Sequence, residues 1–166
     1  CCPMIAVILA AGMASRLRPL TNNTPKCLLD VKGRSLLERS MDALIGCGIR
    51  DFVIVTGYLH QMIEEFVRNR YGGSIHVDFI HNDVFESTNN IYSLWLSRPA
   101  VDGKNFLLLD SDLLYDPQIA RNVIDHPSEN VLTLIRHELG EEEMKVVLGE
   151  NGSITEISKT CSPAAA

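Results

Sequence analysis

The sequence predicts an α/β fold, a three-layer α/β/α sandwich on a mixed, mostly parallel sheet, and three observations carry that expectation. Short apolar runs recur at Ile5–Leu9, Phe52–Val55 and Phe106–Leu109. They are too short for helices and have the length of strands buried on both faces. Segments of helical period separate them, so the order strand–helix–strand–helix–strand implies right-handed crossovers and parallel pairing. At 166 residues the chain reads as a single domain, 1–166, long enough to bury a substantial core.

Each element follows from local pattern. Ile5–Leu9 breaks into small residues, Ala10-Ala11-Gly12-Met13-Ala14-Ser15, where backbone can approach a ligand closely. Cys27-Leu28-Leu29 is a short apolar segment and Val31–Arg34 a turn. Ser35 with Glu38 gives a capping-box pattern, and Leu36, Leu37, Met41, Leu44 and Ile45 fall at helical spacing until Gly46 and Gly48. A second helix spans His60–Arg70, with Met62, Ile63, Phe66 and Val67 inward and Gly72-Gly73 as its stop. Ile75–Ile80 alternates as a half-buried strand does. A polar loop from His81 leads to a short helix beginning at Asn90, with Ile91, Leu94 and Trp95 as its packed side. Phe106–Leu109 runs directly into Asp110-Ser111-Asp112, and Pro117 opens a helix that turns Ile119, Val123 and Ile124 to the core. Val131–Ile135 reads as a strand, as do Val146–Leu148 and Ile154–Ile157 around the turn Glu150–Ser153. Glu141–Glu143 is a solvated acidic loop.

Composition narrows the function classes. Hydrophobic residues make up 46% and charged residues 22%, which excludes wholesale disorder. The net charge of −6 argues against a general nucleic-acid binder. Yet residues 1–34 hold Arg16, Arg18, Lys26, Lys32 and Arg34 against Asp30 alone, a local balance of +4 suited to a small polyanion. Five cysteines without C-x-x-C spacing read as reduced thiols rather than a zinc site or disulfide framework, which places the chain in the cytoplasm. The apolar start lacks a basic leader and leads into the loop, and no run approaches a membrane span.

Two stretches carry chemistry. A strand that ends in Leu9, Ala10, Ala11, Gly12, Met13, Ala14 and Ser15 presents free backbone N–H groups to phosphate oxygens, and Arg16, Arg18 and Lys26 follow to neutralise them. This reads as a nucleoside triphosphate site. No G-x-x-x-x-G-K-[ST] occurs, and a dinucleotide fingerprint needs three glycines where only Gly12 is available. Asp110 and Asp112 stand at the C-terminal end of another central strand, where ligands of open α/β sheets bind. Mg²⁺ favours carboxylate oxygens shared with substrate phosphates.

The residues Leu9, Ala10, Ala11, Gly12, Arg16, Leu17, Pro19, Leu20, Thr21, Pro25 and Lys26 resemble the signature L-A-A-G-x-G-x-R-L-x-P-L-T-x-x-x-P-K. That signature belongs to nucleotidyltransferases that join an NTP to a sugar phosphate or small alcohol phosphate. Ala14 departs from it, standing where the family has its second glycine, so a positive φ there would be strained. The resemblance implies a Rossmann-like fold of the nucleotide-diphospho-sugar transferase type. It implies Asp112 as the principal Mg²⁺ ligand, with Asp110 assisting through water or hydrogen bonds. Arg16 would hold the β- and γ-phosphates, and Lys26 would bridge the α-phosphate and the acceptor. A phosphate acceptor is already ionised, so no serine, histidine or cysteine nucleophile is needed. The implied chain is longer, so the sequence is expected to lack its C-terminal portion and with it a further metal ligand.

Three further segments, Val53–His60, Phe79–Asn82 and Thr88–Leu94, look like the bacterial choline-phosphate cytidylyltransferases and their 2-aminoethylphosphonate-using relatives. This resemblance implies CTP as donor and a small phosphate or phosphonate amino alcohol as acceptor. Asn82 and Asn89 occupy places where the wider family reads the base, and amides suit cytosine's mixed edge. Asn89 and Asn90 as simple helix caps is the alternative. Tyr92, Trp95 and Tyr115 are candidates for an aromatic wall against an ammonium group, with Trp95 alternatively a core residue. The competing readings are a sugar-1-phosphate nucleotidyltransferase using UTP, dTTP or GTP, and a non-catalytic nucleotide-sensing module.

Overall fold

The computed structural model describes residues 4–136, 140 and 143–160. They group into two compact units that divide between Val131 and Leu132. The first begins with β1 (Met4–Ala10), followed by single 3-10 turns at Ser15–Leu17 and Lys26–Leu28 and a short antiparallel pair, β2 (Asp30–Val31) and β3 (Arg34–Ser35). Then come α1 (Leu36–Gly46), β4 (Asp51–Thr56), α2 (His60–Tyr71), β5 (His76–His81), α3 (Asn90–Val101), β6 (Asn105–Asp110) and α4 (Pro117–Ile124). The second unit holds β7 (Lys145–Leu148) and β8 (Ile154–Ser158), an antiparallel hairpin around the expected turn.

Four strands form the central sheet in the order β5-β4-β1-β6, and every pairing is parallel. Antiparallel pairing is confined to two further two-stranded sheets, β2–β3 and β7–β8. β1 lies between two neighbours and under helices on both faces, which is why its sequence is apolar without alternation. On one face Ala6, Ile8, Phe52 and Ile54 pack against Leu37, Met41 and Leu44 of α1, Ile63 and Val67 of α2, and Ala120 of α4. On the other, Ile5, Val7, Leu9, Val53 and Val55 meet Val101 of α3. The three layers follow from that division.

Helix starts obey local chemistry. Ser35 Oγ accepts from Glu38 N at 3.1 Å, as the capping pattern predicts. Glu38 does not complete the box; its carboxylate lies 3.5 Å from Arg34 and 3.3 Å from Arg70. Asp116 caps α4 through Gln118 N at 2.8 Å, with Pro117 in the first turn.

Several sequence expectations are corrected. Ile119 is 40% exposed, because the buried residue of α4 is Ala120. Phe106 and Leu108 of β6 are 41% and 43% exposed, so that strand is not buried on both faces. Met62 is exposed, because the inward stripe of α2 runs Ile63, Val67, Tyr71. Ile91 and Trp95 are 68% and 60% exposed; α3 lies on the sheet through Ser93, Ser97 and Val101, small side chains that allow close approach. Val131–Ile135 forms no strand, and Ile135 is 80% exposed. A β-branched run becomes a strand only with a partner to hydrogen-bond, and no described strand pairs with it. Of the acidic loop, Glu141 and Glu142 lie outside the described residues, as does the tail from Cys161.

Gly57, just beyond β4, is where backbones approach most closely. A Cβ there would lie 2.7 Å from the Ala11 carbonyl oxygen and 2.8 Å from Phe85 Cβ. Gly57→Ala must therefore push apart the loop after β1 and the loop after β5. We expect a loss of about 1–3 kcal/mol in urea unfolding, the range for overpacking a tight site.

Candidate active site

The chain winds from β1 out to β4 and β5, then returns through α3 to place β6 on the other side of β1. Strand order thus reverses at β1, and the C-terminal ends of β1 and β6 open on the crevice where α/β sheets bind ligands. Leu9 pairs with Asp110, and Ser111 N donates to Leu9 O at 3.0 Å, so the parallel ladder runs on into the acidic turn. The small-residue loop and the two carboxylates are adjacent as a consequence.

In the loop, Ala10 and Ala11 are buried and Gly12 is exposed. Among the described residues the N–H groups of Gly12, Met13 and Ala14 make no hydrogen bond, leaving donors for an anion. Ala14 adopts φ 46°, ψ 45°, the left-handed conformation that the signature's glycine would supply freely. Two contacts hold it there: Thr21 Oγ1 and Leu17 N donate to its carbonyl at 3.0 and 2.9 Å. Tyr58 clamps the far side, its N–H on Ala11 O at 3.1 Å and its hydroxyl on Thr21 O and Asn22 O at 3.0 and 2.8 Å. Arg16 and Arg18 extend into solvent without an ion-pair partner among the described residues.

Lys26 begins the second 3-10 turn, and its Nζ donates to Asp112 Oδ2 across 86 residues of sequence. The next residue, Cys27, is buried, 3% exposed. Burial pushes its thiol up to about 12, against a smaller opposing pull from the Ser111 side chain. Asp110 is held differently: Asn90 Nδ2 donates to its Oδ1 at 2.8 Å. Partial burial, then the neighbouring Asp112 carboxylate, raises the Asp110 carboxyl above its ordinary value, and Lys26 pulls it down.

The asparagines divide by environment. Asn82 is 1% exposed and its amide is engaged internally: Nδ2 donates to Thr88 Oγ1 at 3.0 Å and Ser93 Oγ at 3.2 Å, and Oδ1 accepts from Val84 N at 3.1 Å. It pins the loop after β5 to α3 and does not present its amide to a base. Asn89 is exposed at the N-cap position, yet its side chain makes no capping bond, so its amide is available. Asn90, which the sequence reading left out of the site, joins it through Asp110; only its place beside Asn89 hinted at that.

The three aromatic candidates do not form one wall. Tyr92 and Trp95 stack with ring centroids 5.5 Å apart on α3. Tyr115 packs with the core cluster of α1, on the opposite sheet face, and its hydroxyl reaches Ser40 O at 3.5 Å. Burial raises the Tyr115 phenol, consistent with that packed position.

The nucleotidyl transferase family model matches residues 5–147, covering β1, the loop, both acids and the sheet. The chain belongs to this family. Among similar proteins, a choline-phosphate cytidylyltransferase of Streptococcus pneumoniae is 37% identical over 119 residues, 72% of this chain and 49% of that protein. A 2-aminoethylphosphonate cytidylyltransferase of Lancefieldella rimae is 30% identical over 109 residues, 66% of this chain and 43% of that protein. The structure of the inositol-1-phosphate CTP transferase from T. maritima superposes with a TM-score of 0.74 at 26% identity, over 97% of this chain and 66% of that one. The chain thus spans about half the length of the curated relatives it matches.

Within this nucleotidyl transferase, Ala14→Gly should stabilise the fold by about 0.5–1 kcal/mol: relief of the left-handed strain outweighs the extra freedom glycine gives the unfolded chain. A raised urea midpoint with unchanged slope is the expected reading. The Cys27 thiol gives a second prediction. Unfolded, it releases its proton near 9.0; folded, it holds the proton to about 12. Stability from the buried neutral thiol is present below the lower value and is lost as pH rises through that window. The drop in unfolding free energy from about pH 8 to about pH 10 should be smaller in Cys27→Ala than in the wild type.

Proposed function

We propose that the protein transfers CMP from CTP to a small phosphorylated or phosphonate amino alcohol, such as phosphocholine or 2-aminoethylphosphonate, and releases pyrophosphate. The observation that carries this reading is the meeting of Lys26, in the turn Lys26–Leu28, with Asp112 just past β6, while the loop after the adjacent β1 offers free N–H donors. An acceptor oxygen attacks the α-phosphorus, a new P–O bond forms, and the bond to the β-phosphate oxygen breaks as pyrophosphate departs. Both reactants are anions, so the protein's task is alignment and charge screening. The loop N–H groups and Arg16 bind the β- and γ-phosphates and the leaving pyrophosphate; Lys26 neutralises the α-phosphate and the incoming acceptor.

Asp110 and Asp112 offer oxygen donors of the kind Mg²⁺ prefers. Among the described residues no group of three or more His, Cys, Asp or Glu is placed to hold a metal, which suits an ion completed by phosphate oxygens and water. Held by Asp110 and Asp112, Mg²⁺ would supply neutralisation of the phosphate charge. CTP as donor is supported by three relatives whose names share cytidylyl or CTP while their acceptors differ. The exposed amide of Asn89 is our candidate for reading the base. An amino-alcohol acceptor is supported by two of those names, with Tyr92 and Trp95 left as candidate contacts for its ammonium group. No described helix is long and apolar enough to cross a membrane, and Cys27 and Cys47 are free thiols, in keeping with a cytoplasmic setting.

The test incubates the full-length protein with Mg²⁺ and each NTP against phosphocholine, 2-aminoethylphosphonate and a hexose 1-phosphate, reading pyrophosphate and product mass together. CDP-choline from phosphocholine, or a CMP-linked phosphonate from 2-aminoethylphosphonate, supports the proposal. A sugar nucleotide redirects it to the sugar-phosphate branch, and nucleotide binding without any product leaves a sensing module. Lys26→Ala and Arg16→Ala should each lower kcat by about 10²–10³, the scale for removing one donor to transition-state charge.

A further inference from the structure

We infer that Asn90 is a positioning residue, whose side-chain amide orients the Asp110 carboxylate toward the divalent cation and ties it to the loop that carries Asn89. The inference rests on the assignment of Asp110 and Asp112 as the cation site. Asparagine is favoured at helix N-caps because its side chain can accept from the first turn. That place in α3 belongs to Asn89, whose side chain caps nothing. One residue on, Asn90 instead reaches a strand end 20 residues away and donates to Asp110 Oδ1 at 2.8 Å. The contact is tertiary and joins α3 to β6.

The kind of donor matters. Asp112 is held by the ammonium group of Lys26, which offsets its charge. Asp110 is held by a neutral amide, which fixes one oxygen and leaves the negative charge and the other oxygen for a cation. A lysine or arginine at position 90 would give the same orientation and compete with the ion. The two carboxylates also repel each other, so Asp110 without a donor is free to turn away. The reach of Asn90 is itself fixed from behind. Asn82 bonds Thr88 and Ser93, pinning the chain on both sides of Asn89 and Asn90. Any ligand that shifts Asn89 therefore pulls on the residue that orients Asp110.

Mn²⁺ is the probe, counted as free ion by electron paramagnetic resonance with full-length protein and CTP, without acceptor. Asn90→Leu keeps the size and removes the donor; Asn90→Gln restores an amide. We expect Asn90→Leu to weaken Mn²⁺ binding about 10–100-fold, the range for losing a partner of a metal ligand. Its melting temperature should stay at the wild-type value, and kcat should fall more than the KM for CTP rises. Asn90→Gln should recover part of the Mn²⁺ affinity. Wild-type Mn²⁺ affinity in Asn90→Leu overturns the inference alone. So does a loss that tracks melting temperature and is not recovered by glutamine, since that describes a structural contact. A wild-type protein that takes up no Mn²⁺ overturns the inference together with the cation site.

Discussion

The parallel pairing of β1 with β6 places everything else in the site. Leu9 lies opposite Asp110, and the Ser111 amide extends the ladder by one bond to Leu9 O. Neighbouring strands are separated by about 4.8 Å, so two loops that leave adjacent C-terminal ends begin within reach of each other. One loop offers N–H donors and cations, the other carboxylates. In the proposed function a nucleotide with its cation uses both, the first for phosphate and the second for metal. The chain reaches this arrangement by winding outward to β5 before returning, so that sequence-distant residues such as Lys26 and Asp112 become neighbours.

What sequence could reveal was set by how many environments fit a given pattern. Strands buried on both faces must be apolar throughout, so β1 and β4 were legible as short runs; β6 reads the same way although Phe106 and Leu108 are 41% and 43% exposed. Helical period shows that a stripe exists but not which stripe is buried. In α3 the bulky residues Ile91 and Trp95 outweighed Ser93 and Ser97 on paper, while the sheet accepted the serines. Val131–Ile135 has strand composition, yet pairing is a property of two segments. The same limit governs the asparagines: Asn82, Asn89 and Asn90 are alike in sequence, and only tertiary contacts separate the pinned, the free and the orienting amide.

Ala14 shows a local rule broken in the loop after β1. The signature places glycine where φ is positive, and here a Cβ accepts the same conformation, at a cost of about 1–2 kcal/mol. Such strain survives when surrounding contacts over-determine the backbone. Thr21 and Leu17 both bind the Ala14 carbonyl, and Tyr58 fixes Ala11 and Thr21, so the loop is held from three sides. The departure from the signature therefore leaves the loop's shape in place.

The forces that hold the site differ from the charges that work in it. The Lys26–Asp112 pair is partly exposed, with side chains 38% and 31% accessible, and a pair in such a setting contributes at most about 1 kcal/mol. It does not anchor its loops. The residues next to Lys26 and Asp112, Cys27 and Ser111, are both buried, and the Ser111 amide ties its loop to β1 through Leu9 O. Asn82 does the same under the loop that carries Asn89 and Asn90. Neutral buried contacts set the positions, and charged groups project from them into solvent, where phosphate and cation can replace water. Because little folding energy resides in Arg16, Lys26 or Asp112, their removal should act on chemistry with the fold intact. The loops under them are the places where stability and activity fail together.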